Sequence, residues 1–389
     1  MLHKQPKAQT LNFFIMNILM LSNCPLVESQ GSGYVILNTS LSLQELGHTV
    51  ELVSPESLIL FPVINASRAR NYRINVGMAA WVFKNKKKVA LFDLIICYGA
   101  EISLAIFSIK KILKLSTPII LHSNGIELHA GYRMRQVAQE NNVQKWYHFD
   151  QSKIFKYTYE SVDAIITVSE YDMHYAADQL HINRRKLYSI EPCLPNVFFE
   201  NSIHSASHNS KTISFCGSWI VRKGSHVMQE VIPLFLRNHP LYKFRLIGVG
   251  VSFDPSEYFP QDILSRIEVF PFIEGKLELI ELYRTSSILL FPSLYESFGL
   301  VAAEAMYCGC AVICGNTGFA ASLKNNEEAL ILKEVTPSYL YDALEELVTH
   351  PELRMKLAAN GQIRTKKLKW ALYKNNLEVV LNDICSYNN

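Results

Sequence analysis

Nowhere in the 389 residues does an apolar run approach the ~20 residues that a membrane-spanning helix requires. The N-terminus also lacks the apolar core and small-residue cleavage site of a secretory signal, so the expected location is the cytoplasm. Eight cysteines are scattered without a Cys-x-x-Cys pair, which argues against a zinc ribbon or a dithiol redox centre. Cys308, Cys310 and Cys314 are near one another, but they straddle a predicted helix end and a predicted buried strand, where small buried thiols are expected. No Asp-x-Asp occurs anywhere. The acidic pair with which many enzymes hold a metal on a diphosphate is therefore missing, and neither a metal nor a cofactor is expected. Acidic residues are also absent between Glu56 and Asp93, where Arg68, Arg70, Arg73, Lys84, Lys86, Lys87 and Lys88 fall, interleaved with Tyr72, Trp81 and Phe83. Two readings of that stretch stand: a face for weak contact with an anionic membrane, making the protein peripheral at its inner surface, or a solvated helix face. Over the whole chain 38 basic side chains meet 35 acidic ones, an excess too small to imply a nucleic-acid partner.

What is present describes an ordinary globular protein, with 49% apolar and 19% charged residues. At this length one hydrophobic core is rarely enough, so two domains are expected. Met1 to Ile15 are expected to be an N-terminal appendage, or the result of a start codon placed too early, ahead of a strand start at Met16. Strand-like runs then alternate with helical patterns at Ile18–Ser22, Val50–Val53, Leu94–Tyr98, Ile119–Leu121 and Ala164–Val168. Residues 201–211 have linker composition, and a second series runs through Thr212–Cys216, Phe244–Ile247, Ile267–Phe270, Ile288–Phe291, Ala311–Ile313 and Ala329–Leu332. The rhythm predicts βα units, hence an α/β fold of two doubly wound parallel-sheet domains, 16–200 and 212–369.

The segment from Tyr295 to Met306 places Glu296 and Glu304 eight residues apart, directly after the apolar run Ile288–Phe291. Pro292 stops the predicted strand, Ser297 is the expected N-cap, and Gly309 ends a helix of about three turns. The N–H groups from Phe298 through Gly299 and Leu300 to Val301 would then open outward at the positive end of the helix, which suits a diphosphate. Glu296 precedes the helix and Glu304 falls about two turns into it. Two carboxylates so placed can hold different hydroxyls of one sugar nucleotide whose phosphates lie between them. The plainer alternative is an acid favoured near a helix start and a solvated helix residue.

That segment resembles the donor signature of family 4 glycosyltransferases, retaining enzymes of GT-B architecture whose two Rossmann-like domains face each other across a cleft. The likeness extends over nearly the whole chain after Met16. Gly31-Ser32-Gly33 resembles the glycine-rich first loop. Cys216-Gly217-Ser218-Trp219-Ile220-Val221-Arg222-Lys223-Gly224 resembles the loop in which a lysine meets the donor's diphosphate, with Lys223 in that slot and Ser218 where an arginine is common. On this resemblance Glu296 contacts the donor sugar, Glu304 the ribose, and Trp370–Ile384 forms a terminal helix (370–389) that crosses back to the first domain. Ile120-Leu121-His122-Ser123-Asn124-Gly125-Ile126-Glu127 resembles an acceptor-side motif in which a histidine precedes the glycine. Asn124 fills that place, with Glu127 and His129 as further acceptor-side candidates. His122 either reaches the same space as a catalytic group or is a satisfied core histidine.

Transfer of a glycosyl group from a nucleoside diphosphate requires the leaving diphosphate to be stabilised and the oxocarbenium ion held against a hydroxyl. Lys223, Arg222 and the helix after Ser297 would supply the positive potential without a metal. The resemblance implies retention, with a diphosphate oxygen taking the acceptor's proton. It also implies a saccharide or lipid-linked acceptor of cell-surface polysaccharide synthesis. A glycoside hydrolase would not need the Lys223 loop. A nicotinamide enzyme would need a third glycine where Ile36 stands. A catalytically silent GT-B partner subunit that binds a sugar or another transferase is the remaining alternative.

Overall fold

The computed structural model describes residues 15–27, 31–58, 70–140, 152–200, 210–273 and 275–386. The N-terminal appendage up to residue 14, most of the linker, and Arg68 lie outside them. Two six-stranded sheets form the frame, and all their pairings are parallel. The first joins β1 (Asn17–Leu21), β2 (Thr49–Val53), β3 (Leu94–Tyr98), β4 (Ile119–Ser123), β5 (Ala164–Thr167) and β6 (Leu187–Ser189) in the order β2-β1-β3-β4-β5-β6. The second joins β7 (Thr212–Cys216), β8 (Lys243–Ile247), β9 (Ile267–Phe270), β10 (Ile288–Phe291), β11 (Ala311–Gly315) and β12 (Leu330–Leu332) in the order β12-β11-β10-β7-β8-β9. Every residue of β3, β4, β5, β7, β10 and β11 is buried, which demands helices on both faces and explains the continuous apolar runs in the sequence. The sequence missed only β6 among these strands, because its three residues carry a single buried apolar side chain and follow Arg184-Arg185-Lys186.

Side-chain parity sorts the first sheet's two faces. Ile18, Met20, Leu94, Ile96, Tyr98 and Ile120 pack beneath α1 (Gly31–Glu45), whereas Leu19, Leu21, Ile95, Cys97 and Leu121 join Ile74, Met78 and Val82 of α2 (Arg70–Lys84). The last helix of the chain, α14 (Trp370–Ser386), follows the second domain in sequence but buries Tyr373, Leu377, Leu381 and Ile384 in the first domain's core. Tyr373 shares a hydroxyl contact of 2.7 Å with Thr39 of α1, and Lys374 Nζ donates to Glu45 at 2.9 Å.

Strand order reverses between β1 and β3 in one sheet and between β7 and β10 in the other. Loops leaving the carboxyl ends of such strands diverge and leave a crevice where open α/β sheets bind ligands. These are the loops that carry Asn23, Glu101, Lys223 and Glu296. In the acid-free stretch Arg73 is buried and Lys88 pairs with Glu51 at 2.6 Å, leaving Lys84, Lys86 and Lys87 exposed next to exposed Phe83, with exposed Tyr72 at the other end of α2. Cys308, Cys310 and Cys314 are buried, with Cys310 Sγ donating to the Tyr283 carbonyl at 3.0 Å, and burial pushes the Cys314 thiol up to about 12.

Candidate active site

Past β7 the chain turns through Gly217, whose φ of +126° is accessible to few other residues. A Cβ there would stand 3.2 Å from the end of Lys223, so the glycine makes room for that side chain to lie across the strand end. A short helical turn, Val221–Lys223, ends on left-handed Gly224 and feeds α9 (Ser225–Asn238). Lys223 Nζ thereby donates to Glu296 Oε1 at 3.0 Å. Ser293 Oγ donates to the same oxygen at 3.1 Å, and Arg222 Nη1 lies 3.4 Å away while donating to the Tyr295 carbonyl. The backbone of Glu296 is fixed as well, its N–H donating to Thr317 Oγ1 at 2.8 Å.

Ser297 does not cap the following helix, as the sequence led us to expect. That helix, α11 (Leu300–Tyr307), starts after left-handed Gly299 with no side-chain cap, and it makes about two turns rather than three. The loop from Pro292 stays unwound long enough to carry Glu296 to Lys223, which leaves Ser297 against the first domain. A Cβ on Gly125 would meet Ser297 Oγ at 2.3 Å. Leu300 and Val301, as the first helical residues, have N–H groups with no carbonyl of their own helix to reach. Glu304 sits one turn in, buried, where Lys276 Nζ of α10 (Lys276–Arg284) donates to it at 2.7 Å and Tyr283 Oη at 3.5 Å.

These groups enclose a cleft of about 360 Å³ between the domains. Its walls contain Gly31 and Asn124 from the first domain, and Arg222, Lys223, Glu296, Ser297, Phe298, Gly299, Leu300 and Glu304 from the second. Other sequence-predicted residues stand elsewhere. Gly33 is buried inside α1, where a Cβ would lie 2.4 Å from the Val27 carbonyl, so packing and not a ligand requires it. Ser218 is exposed outside the cleft, and Gly217 acts through Lys223. His122 shares the strand parity of Ile120 and points under α1. It is fully buried, its ring stacked on Tyr98 at 5.0 Å, and neither ring nitrogen has a partner. It reaches no ligand space, and it is not a satisfied core histidine either.

A second recess of about 230 Å³ lies at the first sheet's reversal point and shares Ser32 and Asn124 with the cleft. Asn23, Glu101 and Glu127 complete its polar wall. Glu127, first residue of α5 (Glu127–Glu140), accepts from the Ala100 N–H at 2.9 Å and from the Tyr159 hydroxyl. Burial, reinforced by the Glu101 carboxylate, raises its carboxyl to about 8. Beside the cleft, Tyr295 crosses to the first domain and donates to buried Asp172 of α7 (Glu170–Asp178) at 3.1 Å, while His129 Nδ1 contacts the same carboxylate at 2.8 Å. His129 thus serves the domain contact. Sequence reasoning missed Lys276, Ser293, Thr317 and the Tyr295–Asp172 contact, none of which carries a local signal; only the fold brings them together.

Two family models match the chain, one described as "Glycosyltransferase Family 4" over residues 29–194 and one as "Glycosyl transferases group 1" over residues 198–364. An uncharacterized glycosyltransferase of Methanocaldococcus jannaschii is 27% identical over 262 residues, 66% of either chain. The D-inositol 3-phosphate glycosyltransferase of Corynebacterium jeikeium is 28% identical over 170 residues, 41% of either chain. The aligned stretches thus span less than two thirds of those relatives. Among solved structures, Anabaena HepE in complex with UDP superposes with a TM-score of 0.68 at 14% identity, covering 94% of this chain and 100% of that one.

Proposed function

For a chain that belongs to the family 4, group 1 glycosyltransferases and has the GT-B fold, we propose transfer of a sugar from a nucleoside diphosphate to a hydroxyl acceptor, with retention and without a metal. One observation carries this reading: Lys223, Arg222 and the start of α11 converge on Glu296 in the interdomain cleft, with Glu304 one helical turn beyond. The cations and open N–H groups fit a diphosphate, and Glu296 and Glu304 stand on either side of it, suited to the sugar and the ribose. When donor enters, the Lys223–Glu296 pair exchanges partners, the lysine to phosphate and the carboxylate to a sugar hydroxyl. As the glycosyl bond breaks, negative charge grows on the diphosphate beside Lys223 and Arg222, where fixed positive groups lower the barrier. The acceptor hydroxyl attacks from the departing side and gives its proton to a diphosphate oxygen, so no protein nucleophile is required.

Stabilisation of the fold by UDP-, GDP- and ADP-sugars tests the donor, since a ligand bound only by the native state raises the melting temperature. A flat response across the panel would favour a silent partner subunit. Lys223→Ala and Glu304→Gln are expected to weaken donor and free nucleoside diphosphate alike. Glu296→Gln is expected to bind nucleotide nearly normally while transfer falls by roughly 10²-fold, the scale of removing one polar group that acts in the transition state. Activity that survives EDTA and a product with the donor's anomeric configuration complete the reading; an inverted product or a strict metal requirement would overturn it.

The proposed acceptor is a saccharide or lipid-linked glycan of cell-surface polysaccharide synthesis, presented at an anionic membrane. Exposed Lys84, Lys86 and Lys87 next to Phe83 support that placement. No helix among the described residues is long and apolar enough to cross a membrane. Flotation with liposomes is expected to recover the protein with anionic but not neutral lipid at low salt. Equal recovery from both, or binding unchanged after Lys84, Lys86 and Lys87 are neutralised, would count against it.

A further inference from the structure

The recess at the first sheet's reversal point has walls with a bias that sequence alone did not reveal. Its polar side chains are Asn23, Ser32, Glu101, Asn124 and Glu127, and among the described residues no lysine, arginine or histidine lines it. One hydrogen of each amide there is committed: Asn23 Nδ2 donates to Glu101 Oε2 at 2.9 Å, and Asn124 Nδ2 to the Ser32 carbonyl at 3.3 Å. With carboxyl oxygens and no described cation on the walls, what they chiefly offer a ligand is oxygen. Asn124 stands on the wall shared with the donor cleft, its Oδ1 buried without a partner. Glu101 is held in place by Asn23, and left-handed Gly99 makes that arrangement possible, since a Cβ there would collide with both side chains. The start of α5 would ordinarily favour an anion, but its own Glu127 already stands there. Arg222 and Lys223, the nearby cations of the cleft, are engaged with Glu296 and reserved for the diphosphate.

We propose that this recess binds the acceptor as an unphosphorylated polyol, whose hydroxyls donate to Glu101, and that it rejects an acceptor carrying phosphate on the same moiety. A phosphate placed there would meet one carboxylate, a second carboxyl and no cation among the described residues, the reverse of what phosphate recognition uses. A hydroxyl-rich ring meets complementary acceptors, and the shared wall at Asn124 and Ser32 sets it beside the donor sugar. The proposal rests on the transferase reading of the cleft.

Matched probes test it in the presence of saturating nucleoside diphosphate: myo-inositol against its 3-phosphate, glucose and fructose against their 6-phosphates, each followed by ligand-detected NMR and thermal shift. We expect at least one uncharged member to bind, with its phosphorylated counterpart at least roughly tenfold weaker, the scale of one charge-assisted hydrogen bond removed or opposed. Glu101→Gln should weaken the uncharged member by a similar factor while nucleotide binding and melting temperature stay as in the native protein. Glu101→Lys should narrow or reverse the preference. Tighter binding of a phosphorylated member, polyol binding unaffected by Glu101→Gln, or nucleotide binding with no response to any uncharged probe would each overturn the proposal and leave the donor reading intact. Failure of every nucleotide to bind would remove the transferase reading itself, and this inference with it.

Discussion

At His122 an imidazole is sealed under α1 with two unsatisfied nitrogens, and burial alone lowers its pKa from 6.5 to about 4. In the unfolded chain the same group takes a proton near 6.5, so the native state loses ground as pH falls from there toward 4. Replacing it by an apolar ring of similar size should remove that loss. We predict that His122→Phe melts nearer to its neutral-pH temperature at pH 4.5 than the native protein does, by up to about 1.4 kcal/mol for each pH unit spanned. Turnover should stay within a few-fold. Acid sensitivity equal to that of the native protein would mean that the native imidazole is already charged or hydrated. Sequence left this residue open between catalysis and core because its type fits both. The deciding fact is strand parity together with the helix that covers that face.

Among the elements, α11 depends most on one backbone position. Gly299 adopts φ +94°, and a Cβ there would lie 2.8 Å from the Phe291 ring. Gly299→Ala must accept a left-handed backbone at a cost of about 1–2 kcal/mol and displace that ring. We expect a lower melting temperature and a donor affinity reduced at least tenfold, because the first N–H groups of α11 and the carboxylate of Glu296 shift together. A normal donor affinity in the variant would show that the diphosphate does not use this helix start. The acidic spacing and the strand before it were legible in the sequence; the late helix start was not, because the loop's path is set by where Lys223 and Thr317 hold Glu296.

Across the whole molecule, Tyr295 ties the two domains beside the cleft by donating to Asp172, which burial holds above the usual aspartate range. The same loop carries Glu296, so on the proposed function domain closure and sugar contact are coupled. Tyr295→Phe keeps the ring and removes the donor. Small-angle scattering should then show a larger radius for the variant without ligand, recovered at saturating donor, with donor affinity reduced about tenfold for a buried hydrogen bond to a charged group. A radius identical to the native protein's in both states would argue that other contacts set the closed arrangement. The tie from α14 back to the first sheet is a separate restraint, since Leu377 and Leu381 belong to that domain's core.

Fold class and the residues proposed for the donor end were written largely into the chain's local patterns. Apolar runs alternating with helical patterns point to parallel strands between helices; Glu296 and Glu304 stand out by their spacing, and Lys223 by the resemblance of its loop to the family's. The remaining features exist only in three dimensions. Lys276 meets Glu304 from another helix, Tyr295 meets Asp172 from another domain, and the oxygen-lined recess collects Asn23, Glu101 and Glu127 from beyond the ends of three separate strands. Such groups share no local pattern, because what selects them is proximity after folding, which strand order and not sequence distance controls.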